Sequence, residues 1–114
     1  MIDHDTDKII ESIQSIAMMP EVLVCSNDMA AIQVMRALDK MGYKVPQDIS
    51  VVGFDDIEFS TICIPKLTTV HVHKESMGKA AVQKLLWRMD HPDKAHENTI
   101  LSVQIVERDS VRTL

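Results

Sequence analysis

The stretch VPQDISVVGFDD, residues 45–56, decides the fold class of this chain. Its centre, residues 49–54, is a compact apolar run, which is typical of a strand buried in a parallel sheet. Polar residues precede the run, and two carboxylates, Asp55 and Asp56, end it. The stretch therefore predicts a buried strand whose carboxyl end carries acidic side chains.

The sequence on either side of this strand alternates between helical and strand patterns. The predicted helices are residues 6–17, 29–41 and 74–88, and the predicted strands are residues 21–25, 49–54, 67–73 and 101–105. Thr6 and Asn27 or Asp28 are placed as N-caps, and Gly42 stands where a helix ends in left-handed backbone. The first strand is predicted to be covered on both faces, and the third helix to pack in the ordinary way. This alternation indicates an α/β fold in which helices flank a mostly parallel sheet.

The composition is that of one ordinary globular domain. The 114 residues include 12 Lys plus Arg against 17 Asp plus Glu, for a net charge of −5, and 46% of them are hydrophobic. An acidic chain without a basic run is not expected to bind nucleic acid. Its apolar stretches are far shorter than the roughly twenty residues of a membrane-spanning helix. Because no secretory signal is visible either, the cytoplasm is the expected compartment.

The cysteines and histidines do not predict a reactive or metal-binding site. Cys25 and Cys63 lie in apolar surroundings without Cys-x-x-Cys spacing, so buried free thiols are expected. His71 and His73 project from the same face of a predicted strand, but no third metal ligand is recognisable. We therefore expect neither a metal nor a cofactor.

Two predicted strands end in polar residues suited to ligand binding. Asn27 follows the first strand and Asp55 follows the second, and ligands of open parallel sheets bind beyond these carboxyl ends. An amide and a carboxylate that face one crevice suit a hydroxyl-rich ligand. Each residue also has a structural alternative. Asn27 or Asp28 would simply cap the next helix, and Asp55 would bond to neighbouring backbone amides.

Four motifs occur in order along the chain, and the resemblance that they carry extends from about Glu21 to Ser110. They are SNDMA (residues 26–30), RAL (36–38), VPQDISVVGFDD (45–56) and PKLTTV (65–70). Together they closely resemble the LacI/GalR family of bacterial transcription regulators. The resemblance implies that residues 1–114 are the C-terminal portion of an effector-binding domain of the type I periplasmic-binding-protein-like fold. It also implies that the helix-turn-helix domain, which binds operator DNA in this family, is absent from this chain.

The same resemblance implies roles for individual residues. The positions of Asn27 and Asp55 line the effector cleft in the family, so we expect both to contact a small, sugar-like effector. Asp28 and Asp56 are interpreted as capping or loop-ordering residues.

The second helix is apolar over more than one flank, so a second apolar surface must be covered, either by the rest of a larger domain or by another subunit. We predict a homodimer. Met29, Ile32 and Met35 cannot all face one sheet, because successive residues advance about 100° around a helix. Residues 59–64, which include Cys63, are apolar and nearly uncharged, as the centres of interfaces are. Since the C-terminal lobe supplies much of the dimer interface in the family, these four side chains are assigned to it.

Two other functions stay open on the sequence alone. A phosphoacceptor or Mg²⁺-dependent enzyme would use Asp28, Asp55 and Asp56 with Lys66, although a phosphate-cradling glycine loop is missing. A solute-binding protein of a transport system would share the fold, although no secretory signal is visible. The motifs favour a binding protein that is not an enzyme.

Overall fold

The computed structural model describes residues 2–114, in which helices and short strands alternate. The elements are α1 (Ile2–Gln14), β1 (Val22–Val24), α2 (Asp28–Lys40), β2 (Ser50–Val52), α3 (Phe59–Ile62), β3 (Thr69–His71), α4 (Lys74–Asp90) and β4 (Gln104–Val106). Only α3 falls in a segment predicted to be irregular. The predicted order of helices and strands is otherwise confirmed.

The strands form a mostly parallel arrangement with an antiparallel edge. β1 pairs with β2 in parallel, with Leu23 opposite Val51. An isolated parallel bridge between Asp55 and His71 places β3 beside the end of β2, and β4 pairs with β3 in the antiparallel direction. The structure thus has two two-stranded sheets, β1-β2 and β3-β4, linked by isolated parallel bridges, and with the helices this confirms the α/β class. It also brings the carboxyl ends of β1 and β2 to one edge.

Helix α2 has strong signals at both ends, and its predicted bounds are confirmed to within one residue. Asn27 caps its start, since Asn27 Oδ1 accepts a hydrogen bond from the Ala30 backbone N–H at 2.8 Å. Gly42 follows its end with φ +88°, and the Tyr43 N–H donates to the Leu38 carbonyl at 2.9 Å. A left-handed glycine with this hydrogen bond is the Schellman motif, which satisfies the last helical carbonyls.

The hydrophobic core lies between α1, α2 and one face of the sheet. Its buried members are Ile13, Ala31, Ile32, Met35, Ala37, Leu38, Ile49, Val51 and Leu67. Burying such side chains is the main favourable contribution to folding, at about 1.5–3 kcal/mol for each large one.

Helix α1 differs from its prediction at both ends. Thr6 lies inside the helix and is buried, so it is not the N-cap. Near the end, Ser12 Oγ donates to the Lys8 carbonyl and Ser15 Oγ donates to the Ser12 carbonyl. Serine hydroxyls that bond to the backbone compete with continued helix, and α1 stops short of the predicted residue 17.

Strand β1 is covered on one face only, whereas the sequence predicted cover on both. Leu23 packs against the core, but Val22 is 45% exposed and Val24 is 76% exposed. Side chains alternate across a strand, so both valines lie on the face opposite the core. Within residues 2–114 this outer face is an uncovered apolar surface.

Helix α4 also departs from its prediction, because it buries none of its side chains. Its exposed apolar residues are Met77, Val82, Leu85, Leu86, Trp87 and Met89. An ion pair between Lys84 Nζ and Glu97 Oε2, at 2.5 Å, ties the following segment to the helix. The helix therefore extends from the fold instead of packing on the sheet. Across residues 2–114, no helix combines the length and apolar character needed to cross a membrane.

Gly53 lets Asp28 and Leu67 pack closely against its backbone, which gives a test of the packing. A Cβ at this position would lie 2.2 Å from Asp28 Oδ1 and 2.8 Å from Leu67 Cδ2. We expect Gly53→Ala to lower the free energy of unfolding by about 1–3 kcal/mol, because the buried Asp28 must move. Urea unfolding measures the change. Gly78→Ala is the matched control, since a Cβ there meets no atom within 4 Å. Equal stability of Gly53→Ala and the wild-type chain would contradict this packing.

Candidate functional site

The predicted contacts Asn27 and Asp55 lie at the same edge of the sheet. Each follows its strand by three residues, and the two strands are parallel neighbours. The Asp28 N–H donates to the Phe54 carbonyl at 2.9 Å, which ties the residue after Asn27 to the residue before Asp55. The parallel register therefore brings both predicted contacts to one place.

The protein engages only one of the two polar groups of the Asn27 side chain. Its Oδ1 caps α2, as the structural alternative required. The amide nitrogen has no hydrogen-bond partner among the residues that the structure describes, and the side chain is exposed. Because an amide nitrogen carries two donors, the cap leaves a donor group for a ligand.

Asp55 has a strained backbone and an unpaired carboxylate. Its φ is +113°, a conformation that costs a non-glycine residue about 1–3 kcal/mol. Two hydrogen bonds hold it there: its N–H donates to the Val70 carbonyl at 3.0 Å, and Lys74 Nζ donates to its carbonyl. Its carboxylate accepts no hydrogen bond within residues 2–114. Strain of this kind is typical of functional sites, where the surrounding structure fixes one side chain.

Asp28 orders the loop, as the sequence interpretation expected. It is fully buried, and Oδ1 accepts a hydrogen bond from Thr69 Oγ1 at 2.5 Å. Its Oδ2 accepts one from the Ile57 backbone N–H at 2.8 Å. Both oxygens are therefore engaged by the protein, and Asp28 is not available to a ligand.

Asp56 is the centre of a second network, which confirms its interpretation as a loop-ordering residue. It accepts hydrogen bonds from Arg108 NH2 at 2.6 Å, from His71 Nδ1 at 2.8 Å and from Ser60 Oγ at 3.2 Å. Burial by itself raises the pKa of the Asp56 carboxyl. The bonds from Arg108 and His71 outweigh that effect, and the pKa lies below its ordinary value.

Arg108 is the residue that sequence reasoning missed. Its NH1 also donates to Ser60 Oγ and to the Leu67 carbonyl, both at 2.9 Å. It lies 52 residues from Asp56 along the chain, so no local sequence pattern predicts that the two residues pair. The available signal was an arginine three residues after the last predicted strand.

The arrangement does not favour the enzyme alternative. Asp28 and Asp56 are occupied by protein groups, which leaves Asp55 as the free member of the proposed carboxylate set. Within the described part of the chain, no three His, Cys, Asp or Glu side chains are placed to share a metal ion. Burial raises the pKa of both cysteine thiols, Cys25 and Cys63, so neither has the character of a nucleophile.

The residues assigned to a dimer interface occupy two environments. Ile32 and Met35 are mostly buried within this chain, and both also line a groove on its surface. Their assignment to a dimer interface therefore stays a prediction. Met29 is 50% exposed and Cys63 is partly buried.

A groove of about 340 Å³ runs beside these residues. It is lined by Ile32, Met35, Arg36, Asp39, Tyr43, Lys44, Val45, Cys63, Ile64 and Pro65. At its rim Ile64 is 95% exposed, and the neighbouring Phe59 and Ile62 are exposed as well. The chain thus presents an apolar rim where the sequence predicted an interface.

Comparison with known proteins adds independent information. The sequence matches the family described as "Periplasmic binding protein-like domain" over residues 2–111. It is 42% identical over 97 residues to the HTH-type transcriptional repressor PurR of Vibrio atlanticus, covering 83% of this chain and 28% of that protein. It is also 42% identical over 95 residues to a probable HTH-type transcriptional repressor, ExuR, of Bacillus subtilis, with the same coverage of 83% and 28%. The chain thus spans less than a third of these relatives.

Solved structures agree with this fold. The lac repressor dimer bound to operator and the anti-inducer ONPF superposes with a TM-score of 0.81 at 31% identity, over 93% of this chain and 36% of that chain. A LacI family transcriptional regulator from Enterococcus faecium with bound ribose gives a TM-score of 0.76 at 28% identity, over 93% of this chain and 39% of that chain.

The hydrogen bonds of Asp56 predict how the stability of the fold changes at low pH. Its carboxyl has a folded-state pKa below the ordinary value of 3.8, so its contribution to stability is full above that pH and is lost as pH falls below it. Asp56→Asn should cost about 3 kcal/mol of unfolding free energy near neutral pH. The difference in unfolding free energy between this variant and wild type should become smaller at low pH. Denaturant unfolding between about pH 3 and 7 measures both effects.

The matched control for this experiment is Asp93→Asn, an exposed residue that should leave the pH profile unchanged. A gap between Asp56→Asn and wild type that stays constant down to the lowest pH would contradict the network.

Proposed function

Since this chain belongs to the periplasmic binding protein-like domain family, in the form found in LacI/GalR regulators, we propose that it senses a small effector for a transcriptional regulator. Residues 1–114 would be the C-terminal portion of the effector-binding domain. Operator DNA would be bound by a separate helix-turn-helix domain of a longer cytoplasmic protein. The chain would do no covalent chemistry, and it would work as part of a homodimer.

The observation that carries this proposal is that the Asp55 carboxylate and the Asn27 amide nitrogen, neither with a hydrogen-bond partner among the described residues, belong to the same edge of the sheet. One group only accepts hydrogen bonds and the other donates them, so together they suit hydroxyl groups that do both. The fixed backbone of Asp55 means that little ordering cost would be paid on binding. The bound ribose in the Enterococcus faecium neighbour supports a sugar-like effector.

The position of Asp55 also suggests how binding would be transmitted. His71 lies opposite Asp55, and Lys74, which begins α4, donates to the Asp55 carbonyl. An effector at Asp55 would therefore touch the connection between the sheet and α4. Such a ligand shifts an equilibrium only by its difference in affinity for the two arrangements, which would be the basis of control.

The groove beside α2 supports the homodimer part of the proposal. Its lining includes Ile32, Met35 and Cys63, and its rim carries the exposed Ile64. Met29 lies one helical turn before Ile32 on the same flank of α2. A second copy placed by a two-fold axis would cover the same surface on both chains.

The effector contacts are tested with substitutions that separate capping from binding. Asn27→Asp keeps the oxygen that caps α2 and removes the amide donor, while Asp55→Asn keeps the shape and removes the charge. Each change should weaken binding by about 1–3 kcal/mol, or roughly 5- to 160-fold, because a ligand hydroxyl loses the amide donor of Asn27 or the charged acceptor of Asp55. Calorimetric titration of the full-length regulator with ribose and related sugars measures this. Unchanged affinity in both variants would show that the two residues are only structural.

The dimer is tested at the groove rim. Ile64→Glu would place a charge in the centre of the proposed interface and should convert the dimer to monomer without damage to the core. Ile100→Glu is the matched control, since Ile100 is equally exposed and lies outside the groove. Sedimentation over a concentration series gives the oligomeric state. A dimer that survives Ile64→Glu would reject this interface, and a wild-type monomer would reject the dimer.

A further inference from the structure

We propose that His71 and Asp56 are positioning residues for the effector-facing loop, residues 54–57, and that protonation of His71 tightens their hold on it. The inference rests on the proposed function in one respect only, which is that Asp55 in this loop faces the effector. Neither His71 nor Asp56 is proposed to touch the ligand.

The loop cannot hold its own shape. Asp55 and Asp56 have φ values of +113° and +56°, and two successive non-glycine residues in this region are costly. Bonds from other elements must therefore keep them in place. The Asp55 N–H bonds to the Val70 carbonyl, and the Ile57 N–H bonds to Asp28 Oδ2 at 2.8 Å. The Asp28 N–H also bonds to the Phe54 carbonyl, and Lys74 Nζ bonds to the Asp55 carbonyl. The Asp56 side chain adds a restraint between the anchors at Asp55 and Ile57.

Asp56 connects the loop to both connections of α4. His71, at the end of β3, leads into the helix, and its Nδ1 lies 2.8 Å from Asp56 Oδ2. Arg108, just after β4 on the return from the helix, lies 2.6 Å from Asp56 Oδ1. One carboxylate thus joins the effector-facing loop to the incoming and outgoing segments.

The groups around His71 define its electrostatic surroundings. From the loop it faces Asp55 across the strand bridge and Asp56 through the hydrogen bond. The His73 ring packs edge-on at 4.9 Å between centroids, and Arg108 shares Asp56 from the far side. Lys74 binds the Asp55 carbonyl. The nearest partner is therefore an anion.

Histidine is the side chain that ordinarily changes charge between about pH 5 and 8, while a carboxylate held by Arg108 stays ionised over that range. Neutral His71 can still donate from Nδ1 to Asp56. A charged imidazole makes this bond between opposite charges, and such bonds are stronger than those with a neutral partner. The hold on the loop is thus expected to be firmer at low pH and weaker at high pH.

Amide hydrogen exchange of the full chain, without any ligand, tests the proposal. The probes are the Asp55 and Ile57 N–H groups, measured near pH 6 and near pH 8 and corrected for intrinsic exchange rates. In the wild-type chain we expect protection about fivefold higher at the lower pH.

Three variants separate positioning from general stability. His71→Gln keeps a donor for Asp56 without titrating, so it should protect the loop equally at both pH values. His71→Phe removes the donor and should leave the loop poorly protected at both. His73→Gln is the matched control and should behave as wild type. The proposal is overturned if wild-type protection does not depend on pH, or if His71→Gln keeps the wild-type dependence.

This outcome is independent of the effector titrations. A pH-dependent loop in a chain whose Asn27→Asp and Asp55→Asn variants bind sugars normally would refute the proposed contacts and leave the positioning role standing. If those two variants bind sugars more weakly, as expected, but protection of the loop does not depend on pH, the positioning role alone would be refuted.

Discussion

The buried carboxylate of Asp28 is the constraint on which the rest of the structure depends. It stands at the first residue of α2, where the helix dipole favours a negative charge. Its two oxygens bind Thr69 in β3 and the backbone of Ile57 in the loop of residues 54–57. A fully buried carboxylate is tolerated only when its acceptors are satisfied, so the helix, the strand and the loop must keep their relative positions. Gly53 allows this arrangement because it leaves room for the Asp28 oxygen.

This anchor also explains why the polar residues at the sheet edge fall into pairs with divided roles. In Asn27–Asp28 and in Asp55–Asp56, the carboxylate of the second residue is bound by other protein groups. The first residue keeps a polar group, the Asn27 amide nitrogen or the Asp55 carboxylate, that has no partner among the described residues. The inner residues fix the backbone, and the outer ones offer an amide nitrogen and a carboxylate. A rigid pair of this kind is suited to selecting a ligand by the geometry of its hydroxyl groups.

The features that the sequence predicted well are those set by neighbours along the chain. The cap at Asn27, the left-handed Gly42 and the buried centre of β2 each depend on a few adjacent residues. The features that it predicted poorly depend on distant ones. Arg108 and Asp56 meet across the sheet, and no spacing rule connects them.

Apolar patterning had a second limit, since it shows that a surface suits burial without showing what buries it. The apolar character of β1 suggested two covered faces, yet Val24 lies on an open one. The width of the apolar surface on α2 suggested a partner chain for Ile32, yet most of this side chain is already buried in the core of the same chain. α4 gives the reverse case, because its apolar spacing suggested packing and it buries nothing.

Under the proposed function, the effector-facing loop matters because it helps to set the orientation of the exposed helix α4. Because α4 buries no side chain against the core, its orientation relative to the sheet is set largely by the two segments that join them. Both segments bind Asp56, through His71 and Arg108, and Lys74 at the start of the helix binds the Asp55 carbonyl. A ligand on Asp55 therefore acts where a small displacement changes the direction of a long element. The ligand can change the populations of the two α4 orientations only by the difference in its affinity for them. A more rigid loop passes more of that free-energy difference to the orientation of α4.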